Sequence, residues 1–227
     1  MSATRDLMQQ VDSLLHKYPG LKIKSQSSTE IVLEGAIELN RKAKGYTLSG
    51  EYFIEVVIPL SAEELPYVLD KGNHIETCYP HRYIDGRLCL ETDASIMLRF
   101  RDGFSLEAWM EEFVEPYFFS YEYYKRYGAF PFGERSHGLS GLVETYSDLW
   151  GEPDLKKTLL LMKAVSERDY RGHLPCPCGS GKKMRACHGP LLISFYEDQK
   201  LKRVVQRDFK YIGEEVRKYN EQRRNSE

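Results

Sequence analysis

The residues with the most chemistry in them are the five cysteines, and they fall into two groups. Cys176, Cys178 and Cys187 join His188 in the run Cys176-Pro-Cys178-Gly-Ser-Gly-Lys-Lys-Met-Arg-Ala-Cys187-His188, which packs three thiols and one imidazole into thirteen residues. Zinc takes four sulfur or nitrogen ligands in a tetrahedron, so this set is complete in itself. Gly179 and Gly181 would let the chain fold back and bring the ligand pairs together. Lys182, Lys183 and Arg185 are expected to offset the charge of three thiolates and to lower their pKa values. No coordination position is left for a substrate, so the expected zinc is structural; the competing reading is a cysteine-bearing linker that holds no metal.

Cys78 and Cys89 stand mid-chain. Asp85-Gly86 is a strong turn signal, and it would present Leu88 and Cys89 on the rising arm of the turn with Leu90 as an apolar anchor. A partly exposed thiol on such a shelf, with Arg87 beside it to favour the thiolate, can act as a nucleophile and carry an acyl group. The alternative is an ordinary half-buried cysteine in a strand. Cys78 reads as a bystander thiol or a backup acceptor.

The elements around these residues follow from their periodicity. Leu7, Val11, Leu14 and Leu15 share one face of a helix over 4–18, ended by Pro19-Gly20. Strands are expected over Thr29–Leu39 and Tyr46–Leu60, the second with Tyr52, Ile54, Val56 and Ile58 alternating against Phe53, Glu55 and Val57, and a short one at Tyr67–Leu69. Lys71 to Asp93 reads as an irregular surface segment. Ser105 is an N-cap for a helix with the stripe Leu106, Trp109, Met110, Phe113 and Val114. A second aromatic helix, Tyr117–Tyr127, follows Pro116. After a Gly-rich loop, Leu139–Leu149 and Leu155–Val165 are two more helices, and a charged helix runs from Leu191 to about Asn220. Strands in succession followed by helices make an α+β class.

The chain has 227 residues, 41% of them hydrophobic, with 16 Tyr and 10 Phe, enough for a core of about 150 residues plus something smaller. A formal net charge of -2 gives no reason to expect nucleic acid as the main partner. From Lys200 onward nine Lys or Arg face five Asp or Glu, so the last stretch is locally basic. No apolar run reaches the roughly 20 residues that span a bilayer, so no membrane partner is expected. Met1-Ser-Ala-Thr-Arg-Asp lacks the apolar core of a signal peptide, and the expected location is the cytoplasm. In that compartment the cysteines serve as ligands, nucleophile or buried thiols rather than disulfides.

Two stretches resemble known families. The run from Cys176 to His188 is similar to the SEC-C motif, a zinc-binding tail of bacterial proteins that serves docking or stability. The run Tyr79-Pro80-His81-Arg82-Tyr83-Ile84-Asp85-Gly86-Arg87-Leu88-Cys89-Leu90 resembles the active-site strip of ubiquitin-conjugating enzymes, with Pro80, Tyr83, Gly86, Cys89 and Leu90 at matching spacings. That family has a four-stranded antiparallel meander flanked by helices, and the resemblance covers about residues 5 to 150. It implies that Cys89 is the acyl carrier. The family's Asn, which supports the oxyanion during aminolysis, aligns with His81, and the family's His aligns with Tyr79. A His can donate to the same oxygen or act as a base; otherwise His81 is a surface imidazole bonded to its own loop. In the family the later loop gates the cysteine and holds an acidic residue that orients the incoming lysine. Glu134 and His137 are the candidates here, the other reading being a Glu134–Arg135 surface ion pair and a helix-capping His137.

The resemblance implies a ubiquitin-conjugating-like domain over 1–150, a helical connector over 151–172, the zinc module over 173–190 and a charged helix over 191–227. The implied activity is transfer of the C-terminal glycine of a small protein, through a thioester on Cys89, to a target amine. Partners would be an activating enzyme, a cargo and a target lysine. The pairing of the two motifs is similar to stand-alone conjugating enzymes of bacterial anti-phage operons of the CBASS type, where the cargo is a ubiquitin-like protein or a cyclic-nucleotide synthase. Two other readings of the same residues are a catalytically inactive adaptor of this fold, against which Cys89 speaks, and a hydrolase with a Cys89–His81 dyad.

Overall fold

A computed structural model describes residues 2–61, 63–133, 136 and 138–226. The chain forms two compact units, one of Met1–Glu91 with Phe100–Glu134, the other of Thr92–Arg99 with Arg135–Glu227. The class is α+β, and its sheet is four-stranded and antiparallel.

In the first unit, α1 (Ser2–Lys17) precedes β1 (Leu21–Gln26), β2 (Glu30–Ala43), β3 (Tyr46–Pro59) and β4 (Tyr67–Asp70), which pair in sequence order as a meander. β2 and β3 are in register from Glu30↔Pro59 to Ala43↔Tyr46. The alternation read in β3 is real: Tyr52, Ile54, Val56 and Ile58 are at most 3% exposed, whereas Phe53 is 42% exposed. Val57 is buried too, so the second face is covered at that end. Glu55 on that face is held by Lys24 at 2.6 Å and Lys71 at 3.6 Å. β1 shows no such alternation, since only Leu21 of its six residues is buried, and a periodicity search passes over it.

The helical run that follows differs from two helices separated at Pro116. Ser105 caps α3 (Leu106–Trp109) by accepting from the Ala108 N–H, and the chain continues through a π turn (Met110–Val114) into α4 (Glu115–Tyr127). Pro116 has no N–H to give, and its ring excludes the carbonyl four residues back. The turn before it is correspondingly wide, with the Glu115 N–H donating to the Met110 carbonyl. Val11 and Leu14 of α1, together with Leu106, Trp109, Met110 and Phe118, are fully buried.

The second unit gathers α2 (Asp93–Arg99), α5 (Gly138–Trp150), α6 (Leu155–Glu167), α7 (Gly189–Glu197) and α8 (Gln199–Ser226). The sequence-based boundary at residue 150 therefore differs from the division the chain makes. The reason is the apolar face of α5: Val143, Tyr146 and Trp150 share one core with Leu161, Met162, Val165, Leu192, Phe195, Leu201, Val204 and Val205. The expected charged helix from Leu191 is likewise two helices, broken at Asp198, whose carboxylate accepts from the Lys200 N–H at 2.8 Å. α8 is amphipathic, burying Leu201, Val204, Val205 and Ile212. Among the described residues no helix is long and apolar enough to cross a membrane.

Gly20 and Gly35 meet back to back where β1 begins. A Cβ on Gly35 would lie 2.0 Å from the Gly20 carbonyl oxygen, and the φ of Gly35 is +152°. Gly35→Ala should lower unfolding free energy by about 2 kcal/mol or more. Gly213, inside α8 with open space around it, gives the opposite sign: Gly213→Ala should add about 0.5–1 kcal/mol. Urea titrations of the two variants against the parent chain check both.

Candidate active site and metal centre

The segment after β4 is organised by one buried carboxylate. Asp70, 6% exposed, accepts from the Gly72 N–H at 3.1 Å and the Ile75 N–H at 2.7 Å. The Arg82 guanidinium then donates to the Ile75 carbonyl at 2.9 Å, and the Tyr121 hydroxyl accepts from the Glu76 N–H at 3.3 Å. What reads as irregular in the sequence is thus a fixed path that delivers the chain to the cysteine strip.

The strip itself is a tight turn with two extended arms. The Gly86 N–H donates to the Tyr83 carbonyl at 2.9 Å, and the Tyr83 N–H donates to the Arg87 carbonyl at 2.9 Å. Gly86 has a φ of +88°, which the turn requires and a side chain would resist. Ile84 at the tip is fully exposed. The returning arm is pinned on both edges: the Leu88 N–H donates to the Val68 carbonyl of β4 at 2.9 Å, and the Cys89 N–H donates to the His81 carbonyl at 2.8 Å. Leu88 is 3% exposed and acts as the buried foot, while Cys89 is only half-buried.

The Cys89 thiol lies 3.4 Å from the Tyr83 hydroxyl. Arg87, expected to sit by the thiol, is turned to Asp85, with Nε 2.7 Å from the carboxylate, and to the rings of Tyr67 and Tyr83 at 5.4 and 5.6 Å. Burial works against ionisation of Asp85, but the Arg87 N–H and guanidinium hold its pKa below the usual value. Tyr83 thus touches both the guanidinium and the sulfur, a link that an aromatic residue at this spacing does not reveal by itself. His81 and Cys89 are brought together as backbone partners. The imidazole of His81 packs edge-on against Phe130 at 5.2 Å and beside Tyr79 at 5.5 Å. The Tyr117 hydroxyl donates to the same His81 carbonyl at 3.0 Å, and burial pushes the Tyr117 pKa far up. Tyr79 is core, 5% exposed, ringed by Tyr117, Tyr121, Tyr124 and Phe130. Cys78 is exposed, with its sulfur 3.7 Å from a Glu76 carboxylate oxygen. Glu134 and His137 lie outside the described residues.

In the second unit the four expected ligands converge. One ligand atom from each of Cys176, Cys178, Cys187 and His188 lies within 4.8 Å of all the others, a cluster that could bind a metal ion. A small hairpin makes it: the Cys176 N–H donates to the Lys182 carbonyl at 2.8 Å and the Met184 N–H to the Leu174 carbonyl at 2.8 Å. Gly179 and Gly181 both take positive φ, 78° and 74°, at the turn between the arms. A 3₁₀ turn, Met184–Ala186, then sets Cys187 and His188 at the start of α7.

The distances suit a tetrahedron. Metal–sulfur bonds of about 2.3 Å and metal–nitrogen bonds of about 2.0 Å imply S···S edges of about 3.8 Å and S···N edges of about 3.5 Å. Cys178 and Cys187 Sγ are 3.6 Å apart, and His188 Nδ1 is 3.4 Å from both Cys176 and Cys187 Sγ. Burial raises the Cys176 pKa to about 11. Burial opposes ionisation of Cys178 as well, but hydrogen bonds from the Ser180 hydroxyl and backbone and from the neighbouring thiols bring its pKa down to about 6. Lys182, Lys183 and Arg185 are exposed, and the hydrogen bonds that lower the Cys178 pKa come from Ser180 and the neighbouring thiols.

No family model, curated protein or solved structure matches this chain.

Purified chain should retain about one metal ion per molecule by elemental analysis. Cys187→Ser should lower that content at least severalfold, and a chelator should depress the thermal midpoint of the parent chain but not of the variant. A parent chain free of metal whose midpoint ignores the chelator would contradict the centre.

Proposed function

We propose that this chain is a ubiquitin-conjugating-like cysteine transferase carrying a structural zinc centre. The observation that carries the reading is the presentation of Cys89: its backbone is fixed by the His81 carbonyl at 2.8 Å, its foot Leu88 is buried, and its thiol remains partly accessible. The antiparallel meander β1–β4, to which this strip is pinned, supports the same fold.

In the proposed reaction the Cys89 thiolate attacks the carbonyl of a cargo glycine held as a thioester on an activating enzyme. A new C–S bond forms, and the activating enzyme's thiolate leaves. A target lysine amine then attacks the Cys89 thioester; the C–N bond forms, the C–S bond breaks, and the amine's proton ends on the departing Cys89 thiolate. The tetrahedral oxyanion between these steps needs a donor, and His81 is the residue assigned to it. The Tyr83 hydroxyl, 3.4 Å from the sulfur, positions the thiol between the steps. Glu134 and His137 are assigned to orienting the incoming amine. Tyr79, where the resembled family has a His, fills an aromatic core rather than the reaction site. Cys176, Cys178, Cys187 and His188 would hold zinc as four-coordinate ligands, which gives folding energy and no open position. The cargo is a small protein, either ubiquitin-like or a cyclic-nucleotide synthase, and the setting is cytoplasmic bacterial defence against phage.

The test is a non-reducing gel of the full chain with an activating enzyme and candidate cargo. Parent chain should form an adduct that thiol cleaves, Cys89→Ser an adduct that resists thiol, Cys89→Ala none, and Cys78→Ser the parental adduct. An adduct that survives Cys89→Ala and vanishes in Cys78→Ser overturns the assignment. His81→Ala should charge at the parental rate and discharge to amine about a hundredfold more slowly. Charging and discharge falling together would remove His81 from the oxyanion role.

A further inference from the structure

Glu152 is a buried carboxylate that no motif in the chain explains. It is 8% exposed and lies in the turn between α5 and α6. Its main chain is locked there: the Glu152 N–H donates to the Ser147 carbonyl at 3.0 Å, and its own carbonyl accepts from the Ser147 hydroxyl at 2.6 Å and the Thr158 hydroxyl at 3.0 Å. One carboxylate oxygen, Oε1, accepts from the Asp154 N–H at 3.1 Å. The other, Oε2, faces Nε2 of His188 across 3.5 Å. Both side chains are nearly sealed from solvent, at 12% for His188 and 10% for Glu152.

The two nitrogens of His188 thereby have separate surroundings. Nδ1 points into the thiol cluster, 3.4 Å from Cys176 and Cys187 Sγ, and Nε2 points away from it to a carboxylate. A ligating histidine must be neutral, with a proton on the nitrogen that does not bind the metal. We propose that Glu152 is the positioning residue of the metal centre: it accepts the Nε2–H of His188, selects Nδ1 as the ligand atom and holds the ring plane. The present separation is about 0.5 Å longer than a full hydrogen bond. A carboxylate in this place also raises the ligand's basicity, which strengthens the metal–nitrogen bond. Because Glu152 is anchored by Ser147, Thr158 and the Asp154 N–H, it ties the metal module to the α5–α6 turn within one unit. The inference rests on the metal-centre reading above and adds a residue outside its ligand run.

The test uses the full chain with Zn²⁺ as the probe. Competition with a chelator gives the Zn²⁺ dissociation constant, and long-range ¹H–¹⁵N NMR of His188 identifies the metallated and the protonated nitrogen. Expected are Nδ1 metallated and Nε2 protonated in the parent, with a slowly exchanging Nε2–H. Glu152→Ala should raise the dissociation constant about ten- to a hundredfold and make that proton exchange rapidly. Glu152→Gln keeps a neutral acceptor and the turn bond, so it folds even where the alanine variant fails; its Nε2–H resonance should move upfield and its dissociation constant should fall between the other two. Metal bound through Nε2, an Nε2–H resonance unmoved in Glu152→Gln, or a dissociation constant within about twofold of the parent in both variants overturns the role of Glu152 and leaves the centre standing. A parent chain that takes up no Zn²⁺ overturns the centre as well.

Discussion

The amide of Cys89 donates to the carbonyl of His81, and the first unit's candidate chemistry hangs on that one backbone hydrogen bond of 2.8 Å. It closes a hairpin too short to be stable alone, so the hairpin borrows its order from two larger structures. One is the sheet, through Leu88 and the Val68 carbonyl of β4. The other is α4, whose Tyr117 hydroxyl donates to the same His81 carbonyl. A carbonyl that accepts twice fixes both arms against one point. The main chain therefore fixes the backbone of Cys89, and the Tyr83 hydroxyl meets its sulfur at 3.4 Å.

The second unit solves a different problem. It has helices and no sheet among the described residues, and part of its interior consists of buried thiols, Cys176 and Cys178, beside Met184, Trp150 and Phe195. Left unligated, a buried cysteine is only a small apolar group; drawn together on a metal, several of them become a covalent cross-link between a hairpin and a helix start. The opposite pKa displacements of Cys176 and Cys178 describe the same asymmetry. Burial is the largest influence at both; it prevails at Cys176 and is outweighed at Cys178 by the combined hydrogen bonds of Ser180 and the neighbouring thiols.

How much of this was legible depended on whether the signal was local. The alternation of β3, the Ser105 cap and the clustering of Cys176, Cys178, Cys187 and His188 are written in nearby residues, and each appears in the structure. β1 escaped because it is exposed along nearly its whole length, which removes the hydrophobic period that reveals a strand. α2 escaped because seven residues carry too little period, and its anchor is distant: Asp93 is bound by Arg207 at 2.7 Å. Glu152 is invisible for the same reason, since a glutamate in a turn looks like any surface residue until the fold buries it. The basic character of the last stretch was legible, but its meaning was not; Arg207 spends its charge on Asp93 and on Asp208, which also receives the Tyr146 hydroxyl at 2.8 Å.

The Asp93–Arg207 pair joins residues 114 positions apart in the chain. On a ribosome that separation is an interval of time. Domains generally fold as units as they emerge, at about 5–20 residues per second. Cys89 and the meander to which it is pinned are synthesised early, together with α2, yet Asp93 of α2 meets Arg207 only once α8 has been made that far. For several seconds of synthesis the chain thus holds the residues of the strip and its sheet while Asp93 waits for Arg207. α8 closes an ion pair whose other half was made 114 residues earlier.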